Sequence, residues 1–113
     1  MAMSRSYGQQ LLRGVIGPLL LSLIAELPMY GYQIIRELEE RSEGYFKPAG
    51  STVYSALRRL EQEELVLSSW QQVAQRQRRR CYEITEKGRQ ILAGKLREWQ
   101  RFYNAASKVV SGG

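Results

Sequence analysis

The sequence predicts a mainly α-helical fold with one small β-hairpin, an α+β arrangement. Three observations predict it. Apolar residues recur at helical spacing up to about residue 62 and again from residue 86 onward, and two β-type segments lie between, with alternation visible at Tyr82 and Ile84. The chain has 113 residues, 43% hydrophobic and 25% charged, which is the size and composition of one soluble globular domain.

The elements follow in order. Leu19, Leu20, Leu23, Ile24 and Leu27 repeat at helical spacing, and Pro18 suits the first turn of a helix, where its missing N–H costs nothing. Leu11, Leu12, Val15 and Ile16 extend the apolar stripe upstream, so a preceding helical arm is expected, kinked or broken near Gly17 and Pro18. The apolar run Val15 to Ala25 follows Arg5 and Arg13 but is interrupted by Pro18 and lacks a small-residue cleavage pattern. It is also shorter than the ~20 residues that span a bilayer. A buried core helix in a cytoplasmic protein, with no membrane partner, is the expectation.

Pro28 to Gly31 reads as a turn, followed by a short helix with Ile34, Ile35 and Leu38 inward and Arg36, Glu37, Glu39 and Glu40 in water. Two glycines and a proline in RSEGYFKPAG break that helix, and Ser51 or Gly50 is placed to cap the next. In the third helix Val53, Ala56, Leu57 and Leu60 make one apolar face, leaving Thr52, Ser55, Arg58, Arg59 and Gln62 outward. Strands are expected at about residues 65–73 and 79–85, joined by a polar loop rich in Gln and Arg. From Glu86 a final helix carries Leu92, Leu96, Trp99, Tyr103, Ala106 and Val110 on a heptad-like seam, widened by Ile91, Phe102 and Val109.

Charge sharpens the picture. Lys and Arg number 17 against 11 Asp and Glu, a net charge of +6, and a basic balance favours polyanionic partners. Residues 65–82 contain no acid, and Arg76, Arg78, Arg79 and Arg80 fall within five positions, a local footprint suited to phosphates. The chain has no histidine and a single cysteine, Cys81, which removes the usual metal clusters, an intramolecular disulfide and the commonest general base. No metal, cofactor or catalytic residue is expected, and the chain does not read as an enzyme. Cys81 is most simply a small strand residue.

Three helices, a basic hairpin and a last helix, with a polar, basic helix face just before the hairpin, form the layout of a winged helix-turn-helix. Such a helix lies in the major groove, where Ser and Thr hydroxyls and Arg forks meet base edges and phosphates, while hairpin arginines reach the backbone or minor groove. Four stretches, LLRGVIGPLLLSLIAELPMYGYQIIRELEE, STVYSALRRLEQEELV, RRCYEITEKGR and LREWQRFY, resemble the PadR family of bacterial transcription regulators over nearly the whole chain. The resemblance implies a winged-helix repressor that binds a pseudo-palindromic operator as a homodimer, docked through its last helix and released by a small molecule. The single terminal helix looks like the compact subgroup, some members of which bind aromatic drugs between subunits, with Trp99 at the position of a stacking tryptophan.

The expected organisation is a winged helix-turn-helix with its helical arm over residues 1–85, a dimerisation helix over 86–110 and a disordered tail over 111–113. DNA contacts are expected from Tyr32, Lys47, Ser51, Thr52, Tyr54, Ser55, Arg58, Arg59, Arg76, Arg78 and Arg79. The dimer interface is expected to use Leu12, Ile16, Leu92, Leu96, Trp99, Phe102, Tyr103, Ala106 and Val110, with Trp99 and Tyr103 as the ligand platform. Each assignment has a plainer counterpart. Arg58 and Arg59 can instead pair with Glu61 and Glu63, Tyr54 can be core, the hairpin arginines can protect an edge strand, and Trp99 can be interface packing alone.

Departures from the family pattern fall in two places. Ser55 stands where the family usually has proline, and Glu64 where it commonly has the glycine that ends a helix at positive φ. The hairpin tip also lacks the usual Gly and Pro. Against the repressor stand two other classes: a winged-helix protein-interaction module with a decayed DNA face, and a small-molecule carrier or enzyme built on a dimer cavity.

Overall fold

A computed structural model describes the backbone of residues 7–112 and the side chains from residue 12; the expected start of the arm at residues 1–6, the side chain of Leu11 and Gly113 lie outside the described residues. The elements run α1 (Tyr7–Glu26), β1 (Met29–Tyr30), α2 (Gly31–Arg41), α3 (Gly50–Gln62), β2 (Val66–Ala74), β3 (Gln77–Ile84) and α4 (Glu86–Ser111). This is four helices and a three-stranded antiparallel sheet in the order β1-β3-β2, the winged helix-turn-helix expected.

α1 is the central helix. Leu20, Leu21, Leu23 and Ile24 are all buried, so it is covered on more than one side, while Leu27, expected in the core, lies beyond the helix end and is exposed. The expected break near Pro18 is absent: one helix runs through it. A proline inside a helix costs about 3 kcal/mol. Here Leu12, Ile16, Leu20 and Ile24 lie four apart and are buried on both sides of the proline, so core packing supports one continuous helix through it.

α2 follows the expected pattern, with Ile34 and Leu38 buried, and its start is fixed by Gln33 Oε1 accepting the Tyr30 N–H at 2.8 Å. The expected turn at residues 28–31 includes a short strand, because Met29 and Tyr30 pair with Tyr82 and Cys81 of β3. α3 starts from Ala49 as N-cap, with no side-chain bond, rather than from Gly50 or Ser51; the Ala49 carbonyl accepts from Thr52 and Val53 N–H. Its buried face is Val53, Ala56, Leu57 and Leu60, as the sequence pattern requires.

Both helices of the helix-turn-helix end in the same way. After α2, Glu43 adopts φ 53°, with Glu43 N–H on Glu40 O and Gly44 N–H on Glu39 O. After α3, Glu64 adopts φ 64°, with Glu64 N–H on Glu61 O and Leu65 N–H on Leu60 O. These are Schellman closures, in which the left-handed residue is usually glycine. Glu64 therefore keeps the ordinary exit geometry and bears the steric cost of a Cβ there.

β2 has the expected length, shifted by one residue, while β3 begins two residues early at Gln77, so the polar loop shrinks to Gln75 and Arg76. Arg76 takes φ 62°, and the register slips between Gln72 and Ala74, so a bulge and one left-handed arginine replace the missing glycine and proline. α4 is anchored at its start. Thr85 Oγ1 accepts the Gly88 N–H at 2.9 Å and donates towards Glu64 O at 2.8 Å, with Leu65 O at 3.1 Å. Lys87 Nζ donates to Glu63 O at 3.1 Å. A Cβ on Gly88 would collide with the Leu65 carbonyl, so only glycine lets α4 come this close to the end of α3.

Beyond Leu92, α4 leaves the core. The radius of gyration is 16.0 Å, against about 13 Å for a compact chain of this length. α4 runs into the expected tail at 111–113: Ser111 is helical and Gly112 caps the helix at φ 82°.

Candidate nucleic-acid interface

The outward face of α3 splits into three bands, given its four buried positions and 100° per residue. Ser51, Ser55, Arg58 and Gln62 point away from the core. Thr52 and Arg59 lie on the side of α1, where with Arg13, Ile16, Ser51 and Ser55 they line a shallow groove. Tyr54 and Glu61 lie on the side of the wing, where with Arg58, Arg80 and Tyr82 they line a second. Among the described residues neither Arg58 nor Arg59 forms an ion pair; Glu61 instead faces Arg80. Both arginines are exposed and available for a polyanion.

Tyr54 is half exposed and does a packing job as well. A Cβ on Gly31 would fall within the Tyr54 ring, so this tyrosine lies directly on the first turn of α2 and ties the two helices together. Beside it sits Tyr32, its ring under the Arg79 guanidinium at 4.6 Å, with Arg36 at 5.9 Å and the Tyr30 ring stacked at 6.1 Å. Tyr30 Oη donates to Gln71 Oε1 at 3.3 Å, joining this cluster to β2.

The three consecutive arginines of β3 divide between the two faces of the strand. Arg79 goes to Tyr32; Arg78 and Arg80 lie over Trp70, at 5.4 and 5.0 Å from the ring centre. Arg76 is exposed at the tip, and Lys47 is exposed in the segment leading into α3. Tyr32, Tyr54, Arg78 and Arg79 thus meet around one opening of about 350 Å³ between the wing and the start of α2, lined also by Trp70 and Arg80. Ser51, Thr52, Ser55, Arg58 and Arg59 form the adjoining helix face, whereas Arg76 and Lys47 stand at its margins.

Sequence reasoning missed Trp70 and Tyr30 as members of this surface, and counted Arg80 in the basic run without placing it among the DNA contacts. A signal was present: Ser68 and Trp70 share one strand face, as do Arg78, Arg80 and Tyr82, so any register pairing residue 70 with residue 80 brings them together.

Burial and the nearby Glu83 carboxylate push the Cys81 thiol above its ordinary pKa, so it stays a protonated thiol and not a reactive thiolate. Burial likewise pushes the Tyr82 phenol up. Far from this face, Arg41 forms a bidentate pair with Glu26 (2.7 and 2.8 Å) and holds that carboxyl below the usual carboxylate range, linking the ends of α1 and α2.

The other expected site lies on α4. Leu12, Ile16 and Leu92, expected at the dimer interface, are 3%, 3% and 8% exposed within the chain itself, so its own core already covers them. Trp99 and Ala106 are half-buried, while Leu96, Phe102, Tyr103 and Val110 are exposed. The apolar surface left open therefore sits further along α4 than the sequence suggested. No described helix is long and apolar enough to cross a membrane.

Residues 20–94 match the model of the transcriptional regulator PadR-like family. An uncharacterized protein from Lysinibacillus sphaericus is 32% identical over 89 residues, covering 79% of this chain and 82% of its own length. A transcriptional regulator from Clostridium thermocellum superposes with a TM-score of 0.81 at 27% identity, over 96% of this chain and 97% of its own. A PadR family transcriptional regulator from Eggerthella lenta gives 0.81 at 27% identity, over 92% and 88%.

Proposed function

Because the chain belongs to the PadR-like family of transcriptional regulators, we propose that it is a cytoplasmic repressor that binds a pseudo-palindromic operator as a homodimer and leaves it when a small molecule binds. The observation that carries this reading is the basic surface made by the outer face of α3 and the wing, on which, among the described residues, Arg58, Arg59, Arg78 and Arg79 form no ion pair. α3 enters the major groove, with Ser51, Ser55 and Arg58 nearest the base edges, while the wing arginines meet phosphates.

The dimer follows from the far half of α4. Phe102, Val109 and Val110 are 72%, 81% and 86% exposed on a helix that has left its own core, and such a stripe needs a second apolar surface. Two copies place two α3 helices on successive half-sites about 34 Å apart. Trp99 and Tyr103 lie on the same stretch, which gives an aromatic wall where the subunits meet and a place for a planar apolar effector.

The test is fluorescence anisotropy with DNA from the promoter upstream of this gene. Affinity is expected to fall roughly a hundredfold or more between 50 and 200 mM salt, as neutralised phosphates take back their counterions. Absence of binding at low salt, or binding indifferent to salt, overturns the reading.

A further inference from the structure

The wing arginines are not loose side chains. Trp70 and Arg80 are directly opposed in the β2–β3 register, and Arg78 stands one alternate position further along β3, opposite Gln72. Both guanidiniums lie over the indole, with Cζ at 5.0 Å for Arg80 and 5.4 Å for Arg78. Arg80 is held a second time: its Nε donates to Ser68 Oγ at 2.9 Å, and Ser68 Oγ donates to Glu61 Oε2 at 2.8 Å on α3. A path of contacts thus runs from α3 through β2 to β3 and ends on the indole. Trp70 itself is 54% exposed, so packing of the core does not account for it.

An aromatic face attracts a cation, and a stacked guanidinium keeps its N–H edge available for phosphate oxygens, in full for Arg78 and in part for Arg80, whose Nε is on Ser68 Oγ and whose Nη2 lies 3.8 Å from Glu61 Oε2. Three arginines in a row on an unsupported strand would repel one another and sample many rotamers, and ordering them would weaken DNA binding. We propose that Trp70 is a positioning residue for DNA recognition: it fixes Arg78 and Arg80 at one pitch relative to α3, so that wing and recognition helix meet the duplex as a single preformed surface. This rests on the DNA-binding reading above.

The experiment compares Trp70→Ala, Trp70→Leu and Trp70→Tyr with the wild-type chain, measuring operator affinity against salt. Positioning predicts a result that mere contact does not. Removing a neutral side chain should lower the slope of log K against log salt by about 1 to 2, because arginines no longer held in place engage fewer phosphates, with about fivefold weaker binding near 150 mM salt. Trp70→Tyr, which keeps a π face, should restore most of both; Trp70→Leu, which keeps bulk and strand preference only, should not. On a background lacking Arg78 and Arg80, Trp70→Ala should add nothing.

Weaker binding with the wild-type slope would make Trp70 an ordinary apolar contact and overturn the proposal, as would rescue by Leu equal to that by Tyr. The Tyr and Leu variants give this comparison even if Ala loosens the hairpin. A wild-type chain without salt-dependent binding is a different failure, that of the DNA reading itself.

Discussion

The wing and the outer half of α4 both leave the core, and both expose large side chains, yet they do so in opposite states. In the wing the arginines of β3 have partners within the chain: Arg78 and Arg80 rest on Trp70, Arg79 on Tyr32, and beside them Gln72 Nε2 donates to Ala74 O at 2.7 Å. Along the outer half of α4 the large exposed groups include Phe102, Tyr103, Val109 and Val110, whose surface no described residue covers. Exposed charge supported by aromatic rings is stable in water and becomes useful when a polyanion arrives. An exposed apolar stripe is unfavourable in water, and it is on this stripe that the proposed dimer rests.

Three variants bear on that contrast. The largest effect is expected from Phe102→Glu combined with Val109→Glu: sedimentation should show a folded monomer, and affinity for a full operator should fall by about a hundredfold or more as the two half-sites lose their linkage. If this variant stays dimeric, the contrast is wrong about α4. A smaller effect is expected from Arg78→Ala with Arg79→Ala, which should leave the dimer intact. For a dimer that neutralises four phosphates through these residues, the salt slope should drop by about 3 to 4. Loss of the dimer in that variant would mean the two regions are not separate in role.

The smallest effect concerns the joint between them. Glu64→Gly removes a Cβ from a left-handed position and should raise stability by about 0.5–1 kcal/mol, seen as a rise of a few degrees in Tm, while DNA affinity and dimerisation stay as they were. A change in operator affinity would show that the exit of α3 tunes the DNA-binding surface and is not only a local cost.

Much of this molecule was legible in its sequence, for reasons particular to each element. The buried face of α3 follows from four apolar residues at strict helical spacing, and the apolar seam of α4 from its heptad pattern. Pro18 misled because local chemistry says helix start, whereas a buried stripe four residues apart on either side of it says one helix. β1 was invisible, since two residues have no period, and only the backbone of β3 makes them a strand. The cluster of Trp70 with the arginines was hidden for a related reason. It depends on which residue of β2 faces which residue of β3, and that register is set by a two-residue tip with an arginine at positive φ and a bulge beside it. Leu12, Ile16 and Leu92 were assigned to a partner because the pattern of a helix shows which face is apolar and not what covers it.

The contacts around Thr85 have a mechanical meaning. One hydroxyl bridges the exit of α3, through the Glu64 carbonyl, and the first turn of α4, through Gly88 N–H, and the glycine leaves no slack between them. α4 is a 26-residue rod, about 39 Å long, pivoted at that point. A tilt of about 5° at the pivot displaces the far end by about 3 Å over that length. In the proposed dimer, a displacement of a few ångströms at the far end of α4 would arrive at α3 as a small rotation, with no intervening linker to absorb it. α4 is the long arm of a lever, and its short arm is α3.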